Sequence, residues 1–210
     1  MNCLLWKIWA LALAISLTAA PAFAAVTLTF YAHSGNRIHG GYLLFPHAYV
    51  RASGHLDDTG DPVDWAAGFT ARDPGPQLLF VRGPGVVSYP DPAYVDQGKG
   101  YLSVTVSDAA YRAIRARAAW WASPEGSVYD LRRRNCITFI ADLARLAGLR
   151  TGTEPSMSPG RFMTELVVLN PPAAVEAALS DPTAAAGSTP AMAAPPDPVS
   201  AAGGNREGQE

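Results

Sequence analysis

RRRNCITFIADLARLAGL, residues 132–149, sets three arginines, an asparagine and a cysteine ahead of an apolar stretch with helical spacing. Cys136, Ile140, Leu143 and Ala147 recur at steps of four, three and four, which is one stripe of an α-helix. Asn135 suits the N-cap and Gly148 the C′ position, so the spacing predicts a helix opening around Asn135. Cys136 then projects from the first turn, on the stripe that packs inward. A cysteine there is a packed core residue, a metal ligand or a nucleophile, and the rest of the chain has to choose among them.

The N-terminus, MNCLLWKIWALALAISLTAAPAFA, has one positive charge at Lys7 and an apolar run from about Ile8 to Ala20. Ala22-Phe23-Ala24 then gives a small-x-small site. This is the pattern of a secretory signal peptide over residues 1–24, and the run is short for a membrane span, which takes about 20 apolar residues. The expectation is an exported protein, periplasmic or secreted, with no integral span once the signal is cut. Cys3 leaves with that segment, and Cys136 becomes the single thiol of a chain destined for an oxidising compartment. A leftover thiol there points to intermolecular pairing, a reactive group or a buried small hydrophobe. Zinc is disfavoured, since no second cysteine remains and no two histidines stand four apart on a helix. No metal or other cofactor is called for.

Residues 171–210 hold 12 alanines and 7 prolines and no aromatic residue. Such a segment buries too little to offset its ordering entropy, so it reads as a disordered Ala/Pro-rich tail, with a short helix near 173–179 as an option. The tail has five acids against one arginine, whereas residues 25–170 hold 13 acids and 14 bases. The central part is therefore nearly neutral and offers no basic field for nucleic acid. Residues 25–170 make one domain of ordinary size.

Within that domain, 26–33 alternates as a strand and 42–53 follows as a second, with Pro46 marking an edge or a strand start. Residues 54–62 form a turn and 63–72 return antiparallel. QLLFVRG (77–83), GVVSYP (85–90) and GYLSVTVS (100–107) read as further strands. The period then changes. Ser107 caps a helix over 108–123, with Tyr111, Ile114, Ala118 and Trp121 on its apolar face. Strands first and helices later predict an α+β fold, an antiparallel sheet packed against helices.

In this arrangement Cys136 sits at a helix N-terminus beside Arg132, Arg133 and Arg134, a setting that predicts an acidic, reactive thiol. A thiolate nucleophile works with a histidine close in space. His39 and His55 lie in turns and His33 ends the first strand, and all three read as solvent-facing or structural. His47 alternates with Ala48 and Val50 and shares a face with Phe45 and Tyr49, so its imidazole must find a partner. It is either a core histidine or the base.

FPHAYVRAS on a strand followed much later by RRRNC at a helix start resembles the circularly permuted branch of the papain-like, NlpC-type cysteine hydrolases, the branch of lecithin:retinol acyltransferase. The resemblance spans about residues 26–170. It implies a permuted papain-like fold, Cys136 as nucleophile and His47 as general base and then acid. It also implies a polar residue on the next strand that orients the ring. The chain departs from the commonest form there, having no histidine in VDWAAGFTAR. With 54–62 as the loop, His47 falls opposite about Phe69, leaving Thr70 as the nearest polar candidate and Asp64 further off. The Cys136 N–H would belong to the oxyanion hole, and Asn135 either assists it or only caps the helix.

The expected activity is that of an exported thiol hydrolase or acyltransferase, working on an amide or ester carbonyl through a thioester, with a cell-wall peptide or an acyl lipid as substrate. Arg132, Arg133 and Arg134 would bind a carboxylate or phosphate of that substrate, or are solvated charges on a loop. Tyr89, Tyr94, Tyr101, Trp120 and Trp121 line a groove or fill the core. The alternative is a non-catalytic exported binding or envelope-structural module on the same fold. The oligomeric state is open.

Overall fold

The structure is a computed structural model and describes residues 26–37, 43–44, 46–152 and 158–172. The expected signal segment, His39, Phe45 and all but the first two residues of the tail lie outside the described residues. Eight strands occur in chain order: β1 (Val26–His33), β2 (Asn36–Arg37), β3 (Leu43–Leu44), β4 (His47–His55), β5 (Pro62–Ala71), β6 (Gly83–Ser88), β7 (Lys99–Val106) and β8 (Val128–Tyr129). The helices are α1 (Pro92–Asp96), α2 (Asp108–Ala122), α3 (Cys136–Leu146) and α4 (Pro159–Leu169).

The main sheet runs β7-β1-β4-β5-β6-β8 with antiparallel pairing throughout, and β2 and β3 form a small separate ribbon. The domain is thus α+β, an antiparallel sheet against helices, as the order of periodicities predicts. β4 is central in the sheet, so Pro46 marks a strand start and no edge. Its missing N–H falls one residue ahead of the first paired position.

Alternation in β1 sends Val26, Leu28, Phe30 and Ala32 into the core and leaves the residues between them half-buried. Helix α3 packs across β4 and β5, α2 against α3 and β6, and α4 against β1 and β7. All contribute to one apolar cluster, in which Ile114, Phe139, Ile140, Leu143 and Met163 are fully enclosed. Tyr111, Ile114, Ala118 and Trp121 of α2 are buried, as their spacing requires. Gly148 follows α3 with φ 78°, a left-handed C′ position that a side chain would strain.

Two segments depart from the sequence reading. QLLFVRG does not pair as a strand. Pro76–Leu79 form one turn of 3₁₀ helix, with the Phe80 and Val81 N–H groups bonded to Gln77 O (both 3.0 Å). Pro76 at the first helical position presets the turn and Gln77 O takes the next two free N–H groups, so local bonds win over apolar composition. Helix α4 has no counterpart in the reading above, although Ser158 followed by Pro159 is an N-cap and N1 pair.

Candidate active site

Helix α3 starts where it does because Asn135 caps it. The Asn135 carboxamide oxygen accepts from Ile137 N–H (2.8 Å) and Thr138 N–H (3.2 Å), and the Thr138 hydroxyl accepts from Asn135 N–H (2.8 Å), closing a capping box. The Asn135 amide NH₂ donates to Leu131 O (2.8 Å), and the residue is 3% exposed. Asn135 therefore caps the helix from a buried position.

This cap fixes Cys136 at the first helical position, buried against β4. Its sulfur is reached by the backbone N–H of Ala48, the residue after His47, as well as by the N–H groups of Ile137 and of Cys136 itself. The helix start and the strand start, 89 positions apart in sequence, therefore meet at the thiol.

The expectation of an acidic thiol is overturned. Burial pushes the Cys136 thiol up from 9.0 to about 11, against the opposing pull of those three N–H groups. The arginines do not help because they are elsewhere. Arg132 and Arg133 are exposed, and their backbone N–H groups bond to Asp130 Oδ1 (2.9 and 3.1 Å). Arg134 turns away to stack on Trp121, 3.9 Å from the ring centroid, and donates to Gly126 O (2.6 Å). Its guanidinium is half-buried, and desolvation lowers its own pKa. Arg134 is a structural member of the α2–α3 packing. The dipole and the charges, which favour a thiolate, lose to the removal of water.

His47 stands at the start of β4, opposite His33 on β1. Ala48 and Val50 face the helices, and His47 and Tyr49 face the other side of the sheet, as alternation predicts. The ring lies over Gly68 of β5. A methyl there would collide with His47 Nε2 and press on Cε1 (3.1 Å). Tyr49 is the register partner of Gly68, so the expected register was off by one: continued to its end, the pairing sets His47 against Thr70, and the strands part before reaching it. Thr70 is half-buried, pairs with Val86 on β6, and shares the face of Gly68 and His47. Among the described residues no hydrogen bond reaches the His47 imidazole. The position next to Nε2, where an orienting side chain would project, is the glycine.

Burial, with the charge of His33 second, lowers the His47 pKa from 6.5 to about 4. Both members of the pair are therefore uncharged between about pH 5 and 9. His33 itself is fixed by Gly35 N–H donating to its Nδ1 (3.0 Å) and by stacking on Tyr94 (5.0 Å between centroids).

Sequence reasoning set Tyr49 on the His47 face and named Tyr94 as a groove or core candidate, but it missed Tyr31 and the stack the tyrosines form. Tyr49 is fully buried on the sheet face opposite α3, beneath α1; it stacks on Tyr31 (5.2 Å) and donates to Val95 O (3.0 Å), a hydroxyl site left open by Gly98. Tyr94 of α1 tilts over Tyr49 (5.6 Å), and both Tyr94 and Tyr129 lie within electrostatic range of Cys136. Alternation in β1 would have flagged Tyr31; the place of Tyr94 over Tyr49 depends on a loop helix with no periodic signal. Of the other aromatic candidates, Trp121 is core, Tyr101 and Trp120 are half-buried and Tyr89 is exposed.

The two neutral groups have a consequence for stability. The unfolded chain takes up a proton at histidine near 6.5, before the folded His47 does at about 4. Stability should fall as pH drops through that window and level off below it as far as this group is concerned. Cys136 acts at the other end: the unfolded thiol ionises near 9.0, the folded one near 11, so stability should fall as pH rises between them. Thermal denaturation of wild type beside His47→Gln tests the first limb. The variant should lose part of the acid-side slope between about pH 6.5 and 4, and an unchanged slope would show that His47 does not contribute it.

No family model and no curated protein matches the sequence. Among solved structures the chain is similar to the type VI secretion system effector TseH, at 17% identity and a TM-score of 0.46, over 70% of this chain and 90% of that one. At that level the match transfers neither residues nor activity to this chain. Among the described residues no group of three His, Cys, Asp or Glu side chains could hold a metal, and no helix is long and apolar enough to cross a membrane.

Proposed function

We propose that the chain is an exported thiol hydrolase or acyltransferase of the circularly permuted papain-like type, acting on an amide or ester carbonyl. The observation that carries this reading is the packing of α3, with Cys136 buried at its first position, on β4, the strand that opens with His47, in a chain where the histidine strand precedes the cysteine helix. Export rests on the sequence pattern of residues 1–24.

The resting pair is a neutral thiol and a neutral imidazole. As sulfur attacks the carbonyl carbon, the thiol proton passes to His47 through the opening beyond the Tyr49–Gly68 pair, where β4 and β5 no longer bond, and the carbonyl electrons move to oxygen. The oxyanion is held by the Cys136 N–H, which the Asn135 cap leaves unclaimed, since that cap takes Ile137 and Thr138. The intermediate collapses, the protonated His47 gives its proton to the leaving amine or alcohol, and a thioester remains on Cys136. Water or another acceptor, deprotonated by His47, then attacks the thioester carbonyl and restores the thiol. Packing between Gly68 and Tyr49 holds the ring, with Thr70 next along the face. A buried thiol that begins neutral gains its nucleophilicity only when a carbonyl and a base are both in place.

A specific observation favours the second reading, a binding module with no chemistry: the ring-orienting position is Gly68, and the thiol is far from ionised at rest. Covalent capture separates the two. Incubating the full chain with p-nitrophenyl acetate and locating the acetyl group by peptide mass should place it on Cys136, and Cys136→Ala should abolish that adduct. Acetyl groups found only on lysines or tyrosines, with Cys136 untouched, would remove the nucleophile and leave the binding module.

A further inference from the structure

We propose that the apolar loop Leu79–Val81 and the arginine cluster beside it form a docking surface for an anionic lipid bilayer. Leu79, Phe80 and Val81 are 50, 86 and 58% exposed, three consecutive large apolar side chains on one loop. The loop is not loose. Its 3₁₀ turn is closed by the Gln77 carbonyl, Gln77 Nε2 donates to Asp73 O (3.0 Å), and Leu78 packs back against the core. Val128 on the neighbouring strand adds further exposed apolar surface, because Pro84 pairs with it across β6 and β8. A single exposed Leu needs no explanation, but a rigid apolar tip does.

The charge beside the tip selects its partner. Arg82 follows Val81 directly and bonds to Asp130 Oδ2 (3.0 Å). The other oxygen of Asp130 is taken by the backbone of Arg132 and Arg133, which ties the loop to the turn that opens α3. Arg72, whose N–H donates to Pro84 O, stands on the same edge. Four arginines thus meet two aspartates, Asp73 and Asp130, and Asp130 is already engaged inside the cluster. A second copy of the chain seated on this patch about a two-fold axis would bring arginines against arginines, with no acidic strip to receive them. An anionic bilayer supplies both halves: acyl chains for Leu79, Phe80 and Val81, and phosphates for Arg82, Arg132 and Arg133. Contact is by insertion of a loop tip into the interface, with no span required. Arg132 and Arg133 belong to the turn that opens α3, so docking would hold that turn at the bilayer surface. The inference stands on this surface and does not require chemistry at Cys136.

Hydrogen exchange read by peptide mass tests it on the full chain, because it reports on the loop by itself. Vesicles of phosphatidylcholine and phosphatidylglycerol should slow exchange of the 78–82 amides by about tenfold or more, and pure phosphatidylcholine should slow it much less. Added salt, Phe80→Ser and the pair Arg132→Glu and Arg133→Glu should each reverse most of that protection. Equal exchange with and without vesicles would overturn the proposal, as would protection that survives all these changes. Protection that grows with protein concentration in the absence of lipid, and disappears in Phe80→Ser, would overturn it in favour of contact between copies.

Discussion

His47→Ala is expected to slow acetylation of Cys136 by p-nitrophenyl acetate on the order of 10²–10⁴-fold at neutral pH, the usual worth of a positioned general base. The expectation is large because the N–H groups at the thiol do not offset its burial. An exposed, acidic cysteine would react through its own thiolate and lose little with the histidine. Cys136 is 7% exposed and its pKa is pushed to about 11, so at pH 7 almost none of it is ionised. Proton removal must happen during attack, and His47, uncharged down to about pH 4, is the available acceptor. His47 is not part of the core cluster, so the variant should keep its fold, and circular dichroism beside the rate measurement verifies that. A rate within threefold of wild type would mean that the base lies elsewhere.

Phe69→Ala is expected to cost about 3–5 kcal/mol, the range for truncating a buried phenylalanine. Phe69 is fully enclosed on β5, edge-on to Trp121 of α2 (4.8 Å), near Tyr129 of β8 (5.8 Å) and stacked with Phe139 of α3 (6.2 Å). Its ring also fills the space over Gly85, so four elements of the domain meet on one side chain. A typical domain is stable by only about 5–15 kcal/mol, so this one change removes a large share. It should also loosen the seat of α3 on β5 and with it the position of Cys136. Urea denaturation measures the loss, and a cost below about 1 kcal/mol would show that the aromatic cluster can collapse around the gap. The two substitutions differ in kind: one should remove reactivity and spare stability, the other should impair both.

Most of the fold could be read from periodicity. Val26–His33 alternates, the Tyr111–Trp121 stripe is helical, and Asn135 and Gly148 bracket α3, so local pattern and tertiary burial agree in these segments. The reading failed where a backbone constraint outranks composition. Pro76 opens a 3₁₀ turn where the apolar run begins, and that run then becomes the exposed tip at Leu79–Val81. The candidate site was half legible. Cys136 and His47 stand out by residue type and place, and their elements do converge. The thiol's pKa was misjudged because helix dipole and flanking arginines are visible in sequence, whereas the depth of burial and the stacking of Arg134 on Trp121 are not. Register was the other gap. A slip of one residue exchanges the face on which a side chain projects, and it decides that the ring of His47 meets Gly68.

The most direct test of the central claim is the pH dependence of Cys136 acetylation, wild type beside His47→Ala. A neutral thiol served by a neutral base predicts a wild-type rate that rises with a midpoint near 4 and is then level from about pH 5 to 9, with no inflection near 6.5. The variant should be slow at neutral pH and climb only as the thiol itself ionises. Rates that climb about tenfold per pH unit through 7 to 9 in both proteins would mark a thiol reacting without the histidine, and would contradict the account.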